Sequence, residues 1–353
     1  MIEKRKLGSR TIIGGLSILL LGSMVACSNS SNDQSGTKQK SPQEETLVIY
    51  NGQHKDPSIA LEKAFTEKTG IKTESREGNS EELAHQIVEE GDKSPADIIF
   101  SEETTPLRML ENNGLLEDIN HDAISQVRKE FTDPKGQWIP VTARSRVVVY
   151  NKSMVKESDL PKSLYDFLTP KWKDKFAYVP TSGAFQQQLS AIIKLDGKDK
   201  AKQYLEGLKK YGKVYKGNKD ALNAVENGEV AVGFINNYYW DQVAKEKGAD
   251  HMKSGLYYFG NHDVGEMLSF SGMGILKSSK HKEAAQKFIE FATSKEGQQI
   301  LTDLSSQYPS NPDVTNKNLK PFSELTPPEG TVDLGKYGDG KDAIKLLEEV
   351  GLL

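Results

Sequence analysis

From residue 47 onward, short apolar runs alternate with longer stretches in which apolar residues recur every three or four positions. The short runs predict strands, and the longer stretches predict helices that bury one face. The predicted strands are residues 47–51, 96–100, 146–150, 176–179 and 230–235. The predicted helices are residues 57–69, 80–89, 184–195, 198–211 and 239–247. Strands that alternate with helices indicate an α/β fold with largely parallel sheets.

The folded part is long enough for two lobes, because a single core of about 300 residues is uncommon. We predict that residues 46–145 and about 270–310 form lobe 1, and that residues 146–269 and about 311–353 form lobe 2. The extended runs 145–150 and 267–275 are the predicted crossings between the lobes. No period of 20–50 residues repeats, which argues against a solenoid.

Residues 1–26 predict a signal peptide. Four basic residues at positions 4–10 precede the apolar run 11–24, which is too short and too rich in Gly and Ser to span a membrane. The run ends in MVAC, and small residues before a lone Cys27 resemble the lipidation box of bacterial lipoproteins. We therefore predict cleavage before Cys27 and attachment of lipid to it. An ordinary secretory peptide with an incidental cysteine is the alternative.

The segment after this cysteine predicts a flexible tether. Residues 28–45 contain no apolar side chain, so they cannot bury enough surface to offset the entropy lost on ordering. Residues 27–45 would thus hold the folded part at the extracytoplasmic face of the cell membrane.

Charge and cysteine content exclude several classes of protein. The chain has 46 basic and 50 acidic residues, and removing the net +3 of the first 26 residues from the net charge of −4 leaves −7. Nucleic-acid binding is unfavourable for such a chain, because it depends on basic residues that neutralise phosphates. A single cysteine excludes an intramolecular disulfide, a Cys-x-x-Cys zinc site and a two-cysteine redox centre.

Polar residues follow the predicted strands where ligands of open α/β sheets bind, beyond the carboxyl ends. These residues are His54 after the first strand, Glu102 and Glu103 after the second, Ser182, Gly183 and Ala184 after the fourth, and Asn236, Asn237, Tyr238 and Tyr239 after the fifth. An imidazole, carboxylates and two phenols thus come together in one plausible metal site.

The donor types favour ferric iron. Oxygen donors with a single nitrogen suit a hard cation. A phenol has a pKa of about 10, so it ionises at neutral pH only beside a strong positive charge, which Fe³⁺ supplies and Ca²⁺ or Mg²⁺ generally does not. One imidazole, one carboxylate and two phenolates would balance Fe³⁺ and leave two octahedral positions for an anion or water. The helix start at residues 182–184 offers amides and a favourable dipole to such an anion.

Each of these residues also has an ordinary structural explanation. A tyrosine pair more often packs than binds metal, the acidic residues 102 and 103 could cap a helix, and Ser182 is a common N-cap residue. Tyr257 and Tyr258 are predicted to alternate between the faces of a strand. The histidines predicted at the surface are His85, His121, His251, His262 and His281.

Six blocks of the chain resemble, in order, the ferric-ion-binding proteins of bacterial ABC importers. The blocks are YNGQH (50–54), SPADIIFSE (94–102), ARSRVVVYN (143–151), TPKWKDKFAYVPTSGAF (169–185), AVENGEVAVGFINNYYW (224–240) and FSGMGILKSS (270–279). The resemblance runs from about residue 47 to about residue 312. It implies a two-lobed, periplasmic-binding-protein-like (type II) α/β fold with a central sheet in each lobe and a hinge of crossing strands.

The resemblance also implies a set of site residues. The implied iron ligands are His54, Glu102, Tyr238 and Tyr239. The implied contacts to a synergistic anion are Ser182, Gly183, Ala184, Asn218 and Asn236, with Arg144 as a cleft arginine. Members with a phosphate-type anion site usually carry glutamine where this chain has Glu103. A carboxylate there would repel a bound anion unless it were protonated or turned away.

The implied function is extracytoplasmic binding of Fe³⁺ by a monomer that delivers it to the permease of an ABC transporter. One alternative keeps the fold but binds a polyamine, thiamine or an organic anion, with the two tyrosines as an aromatic wall. A second alternative is an enzyme. The sequence has no Gly-x-Ser-x-Gly, no His-Glu-x-x-His and no cysteine beyond residue 27, so we expect no enzymatic activity.

Overall fold

Ten strands and eleven α-helices make up the part of the chain that the computed structural model describes, residues 46–329 and 340–353. The strands are β1 (Thr46–Asn51), β2 (Lys72–Glu77), β3 (Ile98–Ser101), β4 (Trp138–Asn151), β5 (Phe176–Tyr178), β6 (Lys213–Val214), β7 (Val232–Asn236), β8 (Ser254–Tyr257), β9 (Leu268–Ile275) and β10 (Tyr308–Pro309). The helices are α1 (Lys55–Thr69), α2 (Ser80–Glu90), α3 (Thr104–Asn112), α4 (His121–Ile124), α5 (Gly183–Asp196), α6 (Lys198–Tyr211), α7 (Asn218–Glu226), α8 (Asn237–Lys247), α9 (Lys282–Thr293), α10 (Lys295–Ser305) and α11 (Lys341–Val350).

All five predicted strands and all five predicted helices are present. Their ends differ by two residues or fewer, except that β4 begins at Trp138 rather than at residue 146. Strand β2 was not predicted because its sequence, KTESRE, has no apolar residue, and it pairs only with β1 at the edge of the sheet. The predicted signal peptide, Cys27 and the tether lie outside the described residues.

One continuous set of paired strands runs through the molecule in the order β2-β1-β3-β9-β4-β7-β5-β6, with β8 and β10 also paired to β4. Strands β1, β2 and β3 are mutually parallel, as are β5, β6 and β7. The long strand β4 changes partner along its length: residues 138–145 pair with β9, and residues 146–150 pair with β7. It is therefore the crossing strand that joins two α/β lobes.

Separate hydrophobic clusters lie on the two sides of this crossing. Phe65, Phe100 and Phe288 belong to lobe 1, whereas Phe167 and Phe176 belong to lobe 2. The α/β, two-lobed fold class is confirmed. Among residues 46–329 and 340–353, no helix has the length and apolar character needed to cross a membrane.

The boundaries of the lobes stay a prediction. Leu319 and Leu325 pack in the same cluster as Leu83 of lobe 1, whereas α11 packs against α5 and α6 of lobe 2. We therefore propose that residues 311–329 belong to lobe 1 rather than to lobe 2. The contacts of α11 agree with the prediction that it belongs to lobe 2.

Strand β9 packs so closely against its neighbours that a side chain would not fit at Gly272. This residue lies between Ser101 of β3 and Pro140 of β4. A Cβ atom there would lie 2.7 Å from the carbonyl oxygen of Ile139 and 2.9 Å from Cδ1 of Leu107. Because the first of these atoms is backbone, it cannot move without disturbing the sheet that joins the lobes.

We predict that Gly272→Ala lowers the free energy of unfolding by about 1–3 kcal/mol, the usual cost of overpacking. Gly274→Ala in the same strand is the matched control. Its Cβ would first meet two side-chain atoms of Leu116 at 3.1 and 3.2 Å, and the nearest backbone atom, the carbonyl oxygen of Gln137, lies at 3.6 Å. Urea unfolding followed by circular dichroism should show a clearly smaller loss for the control, and equal losses would contradict this explanation.

Candidate metal centre

The four predicted metal ligands meet between the lobes. His54 immediately precedes α1 and Glu102 follows β3, both in lobe 1, whereas Tyr238 and Tyr239 lie in the first turn of α8 in lobe 2. The phenol of Tyr238 donates a hydrogen bond to Oε1 of Glu102 at 3.2 Å, and Nε2 of His54 lies 3.7 Å from the same oxygen. The two tyrosine rings are 4.2 Å apart between centroids. The sequence prediction that these side chains converge is thus consistent with the geometry.

One ring nitrogen of His54 faces the Glu102 carboxylate and is available as a metal ligand. Its Nε2 is buried and has no hydrogen-bond partner among the described residues. Burial lowers the pKa of His54, although the Glu102 carboxylate acts in the opposite direction. The ring is therefore neutral near pH 7, with a lone pair available to a cation.

Burial favours the protonated forms of the two tyrosines. Burial raises the pKa of Tyr238 well above its ordinary value, and the nearby Glu102 carboxylate adds to this effect. Burial also raises the pKa of Tyr239. In the described ranges, 46–329 and 340–353, no three His, Cys, Asp or Glu side chains form a cluster that could hold a metal. A metal here would thus depend on the phenols, and only a strongly charged cation would displace their protons.

The predicted anion contacts line a cavity of about 210 Å³ beside these ligands. Its lining includes Ser182, Gly183, Ala184, Asn218 and Asn236, together with Glu102, Glu103 and the two tyrosines. The amide of Asn218 donates to the hydroxyl of Ser182 at 3.2 Å and to the phenol of Tyr239 at 3.4 Å. Ser182 occupies the N-cap position of α5, but its side chain makes no capping hydrogen bond.

Glu103 pairs with Arg144 of β4. The Arg144 side chain is 0% exposed, and its Nη2 lies 3.1 Å from Oε1 of Glu103. Burial raises the pKa of Glu103 above its usual range, the Glu102 charge adds to the rise, and Arg144 opposes it. Glu103 makes no capping hydrogen bond to α3, so helix capping does not account for this carboxylate. It lies instead in the cleft.

Asn237 is a supporting residue to which the sequence reasoning assigned no contact of its own. It is fully buried, its Oδ1 accepts a hydrogen bond from the backbone N–H of Ser145 at 2.9 Å, and its Nδ2 donates to Asp241 at 2.9 Å and to the carbonyl of Ser306 at 3.4 Å. These bonds attach the start of α8 to the crossing strand and to the end of α10. The orientation of Tyr238 therefore depends on contacts with lobe 1.

Arg146 supports the strand that leads into α8. This buried side chain donates to Oδ1 of Asn236 at 3.2 Å and to the carbonyl of Phe234 at 3.1 Å. In the sequence, Arg146 stands within an apolar run that predicts a buried strand. A charged residue at such a position is the signal that could have identified it.

The remaining histidines lie away from the cleft. His85, His121, His251 and His262 are exposed, as predicted. His281 is partly exposed, with 35% of its side chain accessible, and its Nδ1 lies 3.3 Å from Oδ1 of the buried Asp97. Strand β8 ends at Tyr257, which packs in lobe 2.

A family model described as bacterial extracellular solute-binding protein matches residues 60–325. The chain belongs to the bacterial extracellular solute-binding proteins. This solute-binding protein is 42% identical over 309 residues to the "Major ferric iron-binding protein" of Neisseria meningitidis serogroup A, a match that covers 87% of this chain and 93% of the relative. It is 35% identical over 317 residues to the "Fe(3+)-binding periplasmic protein" of Serratia marcescens, with 89% and 93% covered.

Among solved structures, the solute-binding protein is similar to iron-bound HitA from Pseudomonas aeruginosa. The TM-score is 0.83 at 45% identity, and the match covers 87% of this chain and 99% of HitA. The solute-binding protein therefore shares its fold with HitA, whose solved structure contains iron.

We predict that Asn237→Ala lowers the free energy of unfolding by about 1–3 kcal/mol, because it leaves the buried N–H of Ser145 without a partner. Asn223→Ala is the matched control, since Asn223 is exposed on α7. Denaturant unfolding of the iron-free protein should show no comparable loss for the control. Wild-type stability of the Asn237 variant would contradict the supporting role.

Proposed function

We propose that this protein binds Fe³⁺ in the cleft between its lobes and delivers it to the permease of an ABC transporter. The observation that carries the proposal is the convergence on Oε1 of Glu102, with the Tyr238 phenol at 3.2 Å and Nε2 of His54 at 3.7 Å. Hard oxygen donors with one nitrogen suit a hard, highly charged cation. The names of the relatives, which bind ferric iron, agree with this chemistry.

Each ligand would have a distinct part in binding. His54 would supply a neutral nitrogen, Glu102 one negative charge, and Tyr238 and Tyr239 one each after losing their protons. The three negative charges would match Fe³⁺. Two octahedral positions would remain for water or for an anion held by the contacts at Ser182, Gly183, Ala184, Asn218 and Asn236.

Iron would also link the two lobes. Two of the proposed ligands come from lobe 1 and two from lobe 2, so opening of the cleft separates the donors and releases the ion. Next to the site, Gln187 of α5 donates to the hydroxyl of Thr104 in α3 at 2.9 Å. This contact supports an arrangement in which the lobes already touch beside the ligands.

The proposed setting is the extracytoplasmic face of the cell membrane. A lipid on Cys27 would anchor a monomer there, and residues 28–45 would give it reach to the permease. The relatives are named as binding proteins, which supports a role in transport rather than catalysis.

Loading with iron should produce a visible absorption band from charge transfer between tyrosinate and Fe³⁺. Tyr238→Phe and Tyr239→Phe should each remove most of this band and weaken iron binding at least tenfold, because phenylalanine has no donor atom. Visible spectra and competition with a chelator measure the two effects. Tyr178→Phe is the matched control, since this tyrosine is also buried but lies outside the site.

The same variants separate iron binding from the alternative of an organic ligand. An aromatic wall that stacks on a polyamine or thiamine would tolerate phenylalanine. Wild-type protein that stays colourless and free of iron would contradict the proposed function. Iron binding that is unchanged in both tyrosine variants would contradict the proposed ligands.

For the anchor, we predict that Cys27→Ser abolishes attachment of lipid to the protein, because serine cannot form the thioether link. Incorporation of a labelled fatty acid into the immunoprecipitated protein measures the change, and Ser30→Ala is the control within the tether. Wild-type protein that incorporates no fatty acid would favour the ordinary secretory peptide.

A further inference from the structure

We propose that the Glu103 carboxylate is a built-in anion of the iron site, so that this protein binds Fe³⁺ without an exogenous synergistic anion. The inference rests on the proposed function, because it concerns the charges that surround the bound iron. It is carried by the position of Glu103 between Arg144 and the start of α5.

Arg144 provides the first contact. Its guanidinium is 0% exposed, and Glu103 is its ion-pair partner in the described part of the chain, at 3.1 Å. Two further nitrogens of Arg144, Nε and Nη1, have no hydrogen-bond partner among the described residues. A buried guanidinium needs acceptors for its N–H groups, and here Oε1 of the protein's own Glu103 supplies one.

The start of α5 provides the second contact. A Cβ atom on Gly183 would lie 3.0 Å from Oε1 and 3.1 Å from Cδ of Glu103, so the carboxylate lies directly against the first residue of this helix. The side chain of Ser182 leaves the first-turn amides uncapped. A helix start attracts negative charge through its amides and its dipole. Glu103 of lobe 1 thus reaches the part of lobe 2 where an exogenous anion was expected.

For the proposed ligands, iron, Glu103 and its partner Arg144, the charges balance when Glu103 is ionised; the buried Arg146 behind Asn236 lies outside this set. Glu102 and two tyrosinates would contribute three negative charges and Glu103 a fourth, against three positive charges of iron and one of Arg144. A phosphate added to this set would bring uncompensated negative charge next to two carboxylates. With glutamine at position 103, the same set would carry one excess positive charge, and an exogenous anion would be needed to neutralise it.

The test compares wild-type protein with Glu103→Gln. Both are loaded by air oxidation of ferrous iron in a buffer without phosphate or chelator, and inorganic phosphate is then added. The visible band and the rate of iron loss to a chelator should not change in the wild type. In Glu103→Gln, phosphate should shift the band and slow iron loss at least tenfold. Glu82→Gln, an exposed change on α2, should behave like the wild type.

Calorimetry without iron gives a second readout. Iron-free Glu103→Gln should bind phosphate at the vacated position beside Arg144, whereas iron-free wild type should not bind it at millimolar concentration. Colourless wild-type protein would refute the proposed function itself. Coloured wild-type protein whose band shifts with phosphate, or a Glu103→Gln variant that stays indifferent to phosphate, would overturn this inference alone. The wild-type arm decides the question even if the variant fails to fold.

Discussion

The burial of ionisable donors around Glu102 is the constraint on which the site depends. Tyr238 and His54 both face one oxygen of this carboxylate from opposite lobes. Removal from water raises the pKa of the phenol and lowers the pKa of the imidazole, so both side chains favour their neutral forms. A cation of high charge reverses this balance, because phenolates become favourable only when it is present. Under the proposed function, the same burial would favour a hard, highly charged ion over one of lower charge.

The crossing strand holds both halves of this arrangement through three consecutive residues. Arg144 pairs with Glu103 of lobe 1, the N–H of Ser145 donates to Asn237, and Arg146 donates to Asn236 at the end of β7. A shift of β4 would disturb the carboxylate side and the tyrosine side at once. Strand β9 packs closely against β4 at Gly272, next to the point where the register shifts between Pro140 and Thr142. The geometry of the site and the connection between the lobes thus have a common physical origin.

Glu103 is a second carboxylate in the cleft, beside Glu102. In a cleft that already contains Glu102, a second carboxylate is unfavourable unless a positive group lies beside it. Arg144 and the start of α5 are both within reach of Glu103, and they come from different lobes. The carboxylate also lies between the lobes, so its contacts depend on how the cleft closes.

Much of this protein could be predicted from sequence, because the signals were local. Apolar periodicity located five strands and five helices, and polar residues at the ends of strands identified His54, Glu102, Tyr238 and Tyr239 as candidates. Strand β2 escaped prediction because an edge strand needs no apolar pattern. The sequence alone also left open whether Ser182 and Glu103 merely cap helices, since capping is decided by where a side chain points.

Only the tertiary structure decided which residues that lie far apart in the chain are in contact. The pairing of Glu103 with Arg144, the attachment of Asn237 to Ser145 and Ser306, and the shared oxygen of Glu102 all join segments separated by many residues. Periodicity reports only which face of an element is buried, whereas these contacts depend on the register and angle at which the lobes meet. The sequence by itself determined which chemical groups are available, and the packing of the two lobes determined which of them touch.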